Sequence, residues 1–215
     1  PFCEVKKRRF DGMIITGAPV EQMEFEEVDY WDELVEIMDW ADGHVTSTFF
    51  ICWGAQAAMY HFYGLKKKLL PQKLFGLYRH KVRNRREPLV RGFDDEFYAP
   101  HSRHTTVDAE EIRACSELTI LAESEEAGVF IAMAEEGRKV FVFGHPEYDR
   151  LTLEKEYLRD KNKGLDIQLP KDYFPENDSR NRPLLMWRAH ANTLYTNWIN
   201  YYVYQLTPYV WEDEG

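Results

Sequence analysis

Apolar runs of strand length alternate along this chain with stretches whose apolar residues recur at helical spacing. Residues 10–16 (FDGMIIT) read as a strand, broken by Gly17-Ala18-Pro19. Acidic residues between Glu21 and Glu36 then surround a helical series of Tyr30, Trp31, Leu34, Val35, Ile37 and Met38. Residues 48–51 form a second buried strand. From Trp53 on, Ala55, Gln56, Ala57, Ala58 and Met59 predict a helix that Gly64 closes. Strand, helix and strand in this order make the βαβ pattern of a parallel sheet. Residues 66–91 are more basic and irregular, with a strand expected at 74–82. In residues 97–106 the polar cluster His101-Ser102-Arg103-His104 reads as a loop. Asp108 is the expected N-cap of a short helical turn. Residues 118–123 and 129–135 read as two strands that pair, and 139–143 (KVFVF) as a further buried strand. Residues 151–163 predict a helix ended by Gly164, residues 170–183 a polar loop, and residues 184–206 one long aromatic helix packed on the sheet.

With 215 residues the chain is long enough for one α/β domain with a substantial core, and 44% hydrophobic with 30% charged residues is the composition of a soluble globular protein. The net charge of -10 argues against a general nucleic-acid binder, which would present a basic face. No apolar run approaches membrane-spanning length. Residues 1–10 lack the apolar region and cleavage site of a signal peptide. Three scattered cysteines, Cys3, Cys52 and Cys115, fit a reducing cytoplasm rather than a disulfide framework, and no Cys/His cluster has zinc spacing, so no metal is expected.

Chemistry gathers at two strand ends. Cys52 stands where a strand stops and a helix starts. Such an elbow lifts a nucleophile above the sheet edge and aims the free N–H groups of the helix N-terminus at whatever is attacked. The positive end of the helix also favours a thiolate. Read alone, Cys52 is equally well a buried small hydrophobe. His145 leaves the end of the 139–143 strand, stiffened by Pro146, with Glu147 in reach of its imidazole. In a parallel sheet both ends lie on one edge, where ligands bind. A nucleophile, a base and a carboxylate that orients the base then share one consistent geometry.

The segments FDGMIITGAPVE, FEEVDYWDEL, FFICWGAQAAMYHFYG, RGFDDEFYAPHSRHT, FVFGHPEYDR and TLEKEYLRD closely resemble the homoserine O-acyltransferases of methionine biosynthesis. The resemblance runs through nearly the whole chain. It implies a flavodoxin-like, class I glutamine amidotransferase-like α/β fold, a three-layer sandwich with a mostly parallel sheet, and a single acyltransferase domain over residues 1–215. Proteins of this family carry further sequence before the equivalent of Pro1, so the chain is expected to be the C-terminal part of a longer one.

The resemblance further implies that Cys52 carries the acyl group as a thioester, that His145 is the general base and that Glu147 is its third partner. It assigns substrate binding to Lys73, Ser102 and Arg159, the arginine fork suiting the homoserine α-carboxylate. Taken alone, Lys73 and Arg159 would read as surface ion-pair partners. The backbone N–H groups of Trp53 and Ala18 are the expected oxyanion hole. Glu21 matches the position at which a glutamate accompanies acetyl-CoA and a glycine succinyl-CoA, because a carboxylate there fills space and repels the succinyl carboxylate. The expected activity is acetyl transfer from acetyl-CoA, a co-substrate rather than a tightly bound cofactor, to L-homoserine by a ping-pong route through acyl-Cys52. A succinyltransferase is the nearest alternative, and a non-catalytic binding module on the same elbow is the alternative from another class. No nucleic-acid or membrane partner is expected, and the sequence leaves open whether the chain forms a homodimer.

Overall fold

The computed structural model describes residues 1–208. In chain order the strands are β1 (Phe10–Ile15), β2 (Val45–Ile51), β3 (Lys67–Val82), β4 (Glu96–Val107), β5 (Leu118–Ser124), β6 (Gly128–Ala134) and β7 (Lys139–Val142). The α-helices are α1 (Phe2–Val5), α2 (Trp31–His44), α3 (Trp53–Tyr63), α4 (Ala109–Ala114), α5 (Thr152–Asn162) and α6 (Arg188–Asn197). The strands form one sheet in the order β1-β2-β7-β6-β5-β3-β4. The α/β sandwich expected from the sequence is present. Parallel pairing is confined to β1, β2 and β7; β7-β6-β5-β3-β4 is antiparallel throughout.

Alternation along the central strands builds the two faces, because successive side chains point to opposite sides. On one side Phe50, Phe141 and Ala132 pack under α2 and α3 with Trp31, Met38 and Met59. On the other, Phe49, Ile51, Val140, Val142 and Ile131 pack against Leu194, Trp198 and Tyr202. A third cluster of Phe75, Leu77, Leu153, Tyr173, Phe174 and Trp187 seats α5 against the β3–β4 end of the sheet.

Several boundaries match their sequence signals. Gly64 closes α3 in the left-handed conformation at φ 67°, and Asp108 caps α4 by accepting from the Glu110 N–H. Residues 118–124 and 128–134 pair antiparallel as expected. Others differ. His101-Ser102-Arg103-His104 is not a loop but the middle of β4, where Ser102 pairs with Phe75 and Arg103 with Leu74. The strand expected at 74–82 starts earlier, at Lys67, with a register shift between Leu69 and Leu74. The polar loop at 170–183 touches the sheet, Lys171 bridging to Gly76. The 184–206 segment is not one α-helix. Residues 184–187 precede it, α6 starts at Arg188, and Trp198–Tyr204 continues as a π-helix. That widened turn lays the Tyr202 ring against Gly137, where a Cβ would lie 1.8 Å from the ring, and brings its hydroxyl to the Leu89 N–H.

Candidate active site

Because β2 and β7 are parallel neighbours, their C-terminal ends open on the same edge, and the residues that follow them meet there. Cys52 is the N-cap of α3, with φ 51° and ψ -115°. Few side-chain-bearing residues hold such a backbone, and strain of this kind concentrates at functional sites. The tight turn is thus made by Cys52 itself. At Gly54 a Cβ would come within 2.7 Å of the Ile15 carbonyl oxygen, so the close approach of α3 to β1 requires its absence. The Cys52 N–H donates to the Val142 carbonyl at 2.7 Å, tying the elbow to the strand that leads to His145.

His145 is held from several sides. Its N–H donates to the Pro100 carbonyl at 2.8 Å, its Nδ1 lies 2.7 Å from Glu147 Oε1, and its ring stacks on Tyr148 at 4.2 Å between centroids. Burial pushes the imidazolium toward losing its proton, but the Cys52 charge and hydrogen bond, with Glu147 behind, outweigh burial and raise the pKa to about 10. Glu147 is exposed and fixes the ring from behind.

In front of Cys52 opens a cavity of about 460 Å³ lined by Ala18, Glu21, Lys73, Ser102, His145 and Arg159, among others. The residues expected from sequence thus converge on one space, apart from Glu147 behind the imidazole and Trp53, whose side chain is buried. As the first residue of α3, Trp53 has an N–H with no acceptor one turn back. The Gly17-Ala18 turn lies against it, since a Cβ on Gly17 would sit 3.5 Å from the Trp53 nitrogen.

Lys73 lies within the β3 register shift between Leu69 and Leu74, an irregularity of the kind that re-aims a side chain. Its Nζ lies 3.3 Å from Asp160 Oδ2 and 4.3 Å from the Phe75 ring centroid. Arg159 is half exposed at the rim, its Nε donating to Asp160 Oδ1 at 2.7 Å. The Glu21 carboxylate accepts the His104 N–H at 2.9 Å, and Lys67 donates to the carbonyls of Glu21 and Met23.

Tyr148, Glu156 and Asp160 also line the cavity and escaped the sequence reading. Glu156 accepts from Ser102 Oγ at 2.5 Å and from the Tyr148 hydroxyl at 2.6 Å, and Asp160 joins Lys73 to Arg159. Burial, then the Glu156 charge, raises the Tyr148 pKa and keeps it a phenol. The signal was present: positions 156, 159 and 160 share one face of α5 at i, i+3 and i+4, so the acids accompany the arginine.

The family model for homoserine O-succinyltransferase matches residues 1–209. The chain belongs to the homoserine O-succinyltransferase family. Among its relatives, a homoserine O-acetyltransferase of Lachnoclostridium phytofermentans is 68% identical over 206 residues, covering 96% of this chain and 68% of the relative. A homoserine O-acetyltransferase of Bacteroides fragilis is 56% identical over 212 residues, covering 99% and 70%. The chain therefore spans about two thirds of the length of these relatives. A glutamine amidotransferase from Methylobacillus flagellatus superposes with a TM-score of 0.67 at 12% identity, covering 95% of this chain and 80% of that one. A second, from Thermotoga maritima, gives 0.64 at 16% identity over 88% and 77%. At such identities these two establish the fold alone.

Proposed function

We propose that this homoserine O-succinyltransferase family member is a homoserine O-acetyltransferase that works through an acetyl-Cys52 intermediate. The observation that carries the reading is the single cavity onto which Cys52, His145, Lys73, Ser102, Arg159 and Glu21 all open.

In the first half-reaction the Cys52 thiolate attacks the acetyl-CoA thioester carbon. The negative charge moves to the carbonyl oxygen, toward the N–H groups of Trp53 and Ala18. Collapse breaks the C–S bond to CoA, and His145 delivers its proton to the departing thiolate. Cys52 is now a neutral thioester. The interaction that held His145 protonated is gone, and the ring becomes the base the second half-reaction needs. The homoserine hydroxyl then gives its proton to His145 as its oxygen attacks the acetyl carbon. Expulsion of the Cys52 thiolate restores the ion pair. Glu147 holds the tautomer and orientation of the imidazole throughout. Lys73 and Arg159 supply positive charge for the acceptor carboxylate, and Ser102 a hydroxyl.

Glu21 supports acetyl over succinyl. Its carboxylate is fixed by the His104 N–H and lines the cavity. The distal carboxylate of a succinyl group in the same space would meet like charge, whereas an acetyl group carries nothing to meet it. The reducing cytoplasm suits a free, reactive thiol.

Full-length protein incubated with radiolabelled acetyl-CoA and denatured should retain label on the peptide containing Cys52, and homoserine should discharge it as O-acetylhomoserine. No retained label would sink the covalent route. Preferential labelling from succinyl-CoA would make the protein a succinyltransferase.

A further inference from the structure

Behind the wall of the cavity lies a cation that the mechanism above does not use. The Arg103 side chain is fully buried in the middle of β4. Its guanidinium donates to the carbonyls of Thr105 at 2.7 Å and Ala127 at 2.6 Å and to His101 Nδ1 at 3.3 Å, all neutral acceptors. Among the described residues no carboxylate forms a salt bridge with it. A buried ion without a counter-ion is among the costliest things a fold can hold, and removing one partner of such a pair is strongly destabilising elsewhere.

Both sides of the active site rest on this cation's neighbours. Toward the elbow, Thr105 Oγ1 donates to Gln56 Oε1 at 2.9 Å, and Gln56 stands one turn along α3 from Cys52. Toward the base, the His101 ring lies against Gly144, where a Cβ would be 3.1 Å from its Cε1, and His145 follows directly. Ser102 and His104, which flank Arg103 on the strand, line the cavity itself. His101 in turn contacts His80, Nε2 to Nε2 at 3.1 Å. Burial holds both rings neutral, His80 down to about 3, so neither competes as a charge.

We infer that Arg103 is a positioning residue of the acyl-transfer site, a buried counter-charge whose partner is the anion that forms at Cys52. The inference rests on the covalent reading of Cys52 and adds the source of its electrostatic support. Burial lowers the Arg103 pKa to about 10, and the charges of Cys52 first and Glu21 second oppose that fall. Attraction is mutual: a cation favoured by the anion at Cys52 favours that anion in return. The surrounding low dielectric keeps the interaction from being screened as it would be at the surface. The three neutral acceptors fix the guanidinium in place, so no reorganisation is needed when charge appears on the sulfur or on the carbonyl oxygen beside it.

The test is the pH profile of Cys52 alkylation by iodoacetamide in full-length wild type, Arg103→Lys and Arg103→Met, read by mass spectrometry. Alkylation needs no acyl donor, so this result stands apart from whether acetyl-CoA labels the protein. Arg103→Met should move the midpoint of the profile upward by about one pH unit and slow alkylation at neutral pH about tenfold. Arg103→Lys, which keeps the charge and loses the fork, should stay near the wild-type midpoint. If the apolar variant does not fold, Arg103→Gln, which keeps an amide to donate to the carbonyls, replaces it with the same expected shift. A neutral variant with the wild-type profile, or equal shifts in the lysine and neutral variants, would reduce Arg103 to packing and overturn the inference.

Discussion

Replacing Cys52 by glycine and, separately, by alanine isolates the backbone cost of the elbow. Both variants lose the thiol and hence all transfer, so they differ only in whether a Cβ is present. At an ordinary site glycine is the less stable of the two by about 0.5–1 kcal/mol, because it has more freedom to lose on folding. At Cys52 the backbone sits at φ 51°, ψ -115°, outside the regions open to residues with a Cβ. A strained site of this kind costs on the order of 1–3 kcal/mol. Glycine is free of most of that cost, and alanine keeps it. Setting one against the other, Cys52→Gly should be more stable than Cys52→Ala by about 1 kcal/mol, a reversal of the usual order. For a domain of this size that is a rise of roughly 2–4 °C in Tm. Thermal and urea unfolding of the two full-length variants, followed by circular dichroism, measures it directly. A glycine variant less stable than the alanine variant by the ordinary margin would mean that the elbow stores no strain, and the description of Cys52 as a residue held against its preference would fall.

Other outcomes follow from the same geometry. His145→Asn should remove most of the rate of both half-reactions and Glu147→Gln less, since the exposed carboxylate orients a proton carrier without moving the proton; full turnover in Glu147→Gln would take it out of the mechanism. Because the pKa of His145 is raised in the folded state, its stabilising contribution is complete below the unfolded value of about 6.5 and is lost as pH rises through about 10. The stability advantage of wild type over His145→Asn should therefore shrink over that window, and a constant difference would refute it. Arg159→Lys should raise the homoserine KM while leaving acetyl-Cys52 formation intact, and loss of acylation would move Arg159 to the donor side. Glu21→Gly should lower kcat/KM for acetyl-CoA and open some succinyl-CoA use, the donor ratio shifting by roughly a hundredfold at most; an unchanged ratio would remove Glu21 from donor choice.

The parallel end of the sheet was readable from sequence because each element there carries an unambiguous signal. Phe49–Ile51 is uniformly apolar, the residues after Cys52 are small and helix-forming, and Gly64 ends the helix. The antiparallel end hid itself. In β4, His101, Arg103 and Thr105 point inward and satisfy one another through hydrogen bonds, so the buried face reads as polar and the strand as a loop. In β3 the register shift between Leu69 and Leu74 interrupts the alternation that would have extended the strand back to Lys67. The 184–206 segment failed differently: Leu185 and Trp187 join the cluster under α5 ahead of the helix, and the widened turn at Trp198 changes the periodicity without any local residue that announces it. At the site, Cys52, His145 and Glu147 lie close to strand ends and were visible as a geometry. Lys73, Ser102, Arg159 and Glu21 came from likeness to a family, because their convergence depends on long-range packing that spacing does not encode.

The sheet's two kinds of pairing separate two tasks. The sulfur and the imidazole issue from adjacent parallel strands, held by backbone bonds such as that from Cys52 to Val142. Lys73 and Ser102, and the His104 N–H that fixes Glu21, belong to the antiparallel β3–β4 pair across the cavity. Under the proposed function, reaction and choice of reactant thus rest on different hydrogen-bond ladders with different registers. A shift or insertion in the β3–β4 hairpin could exchange one acyl group or acceptor for another while the sulfur and its base kept their spacing. On such a frame new selectivity is within reach by small steps, each compatible with a working enzyme.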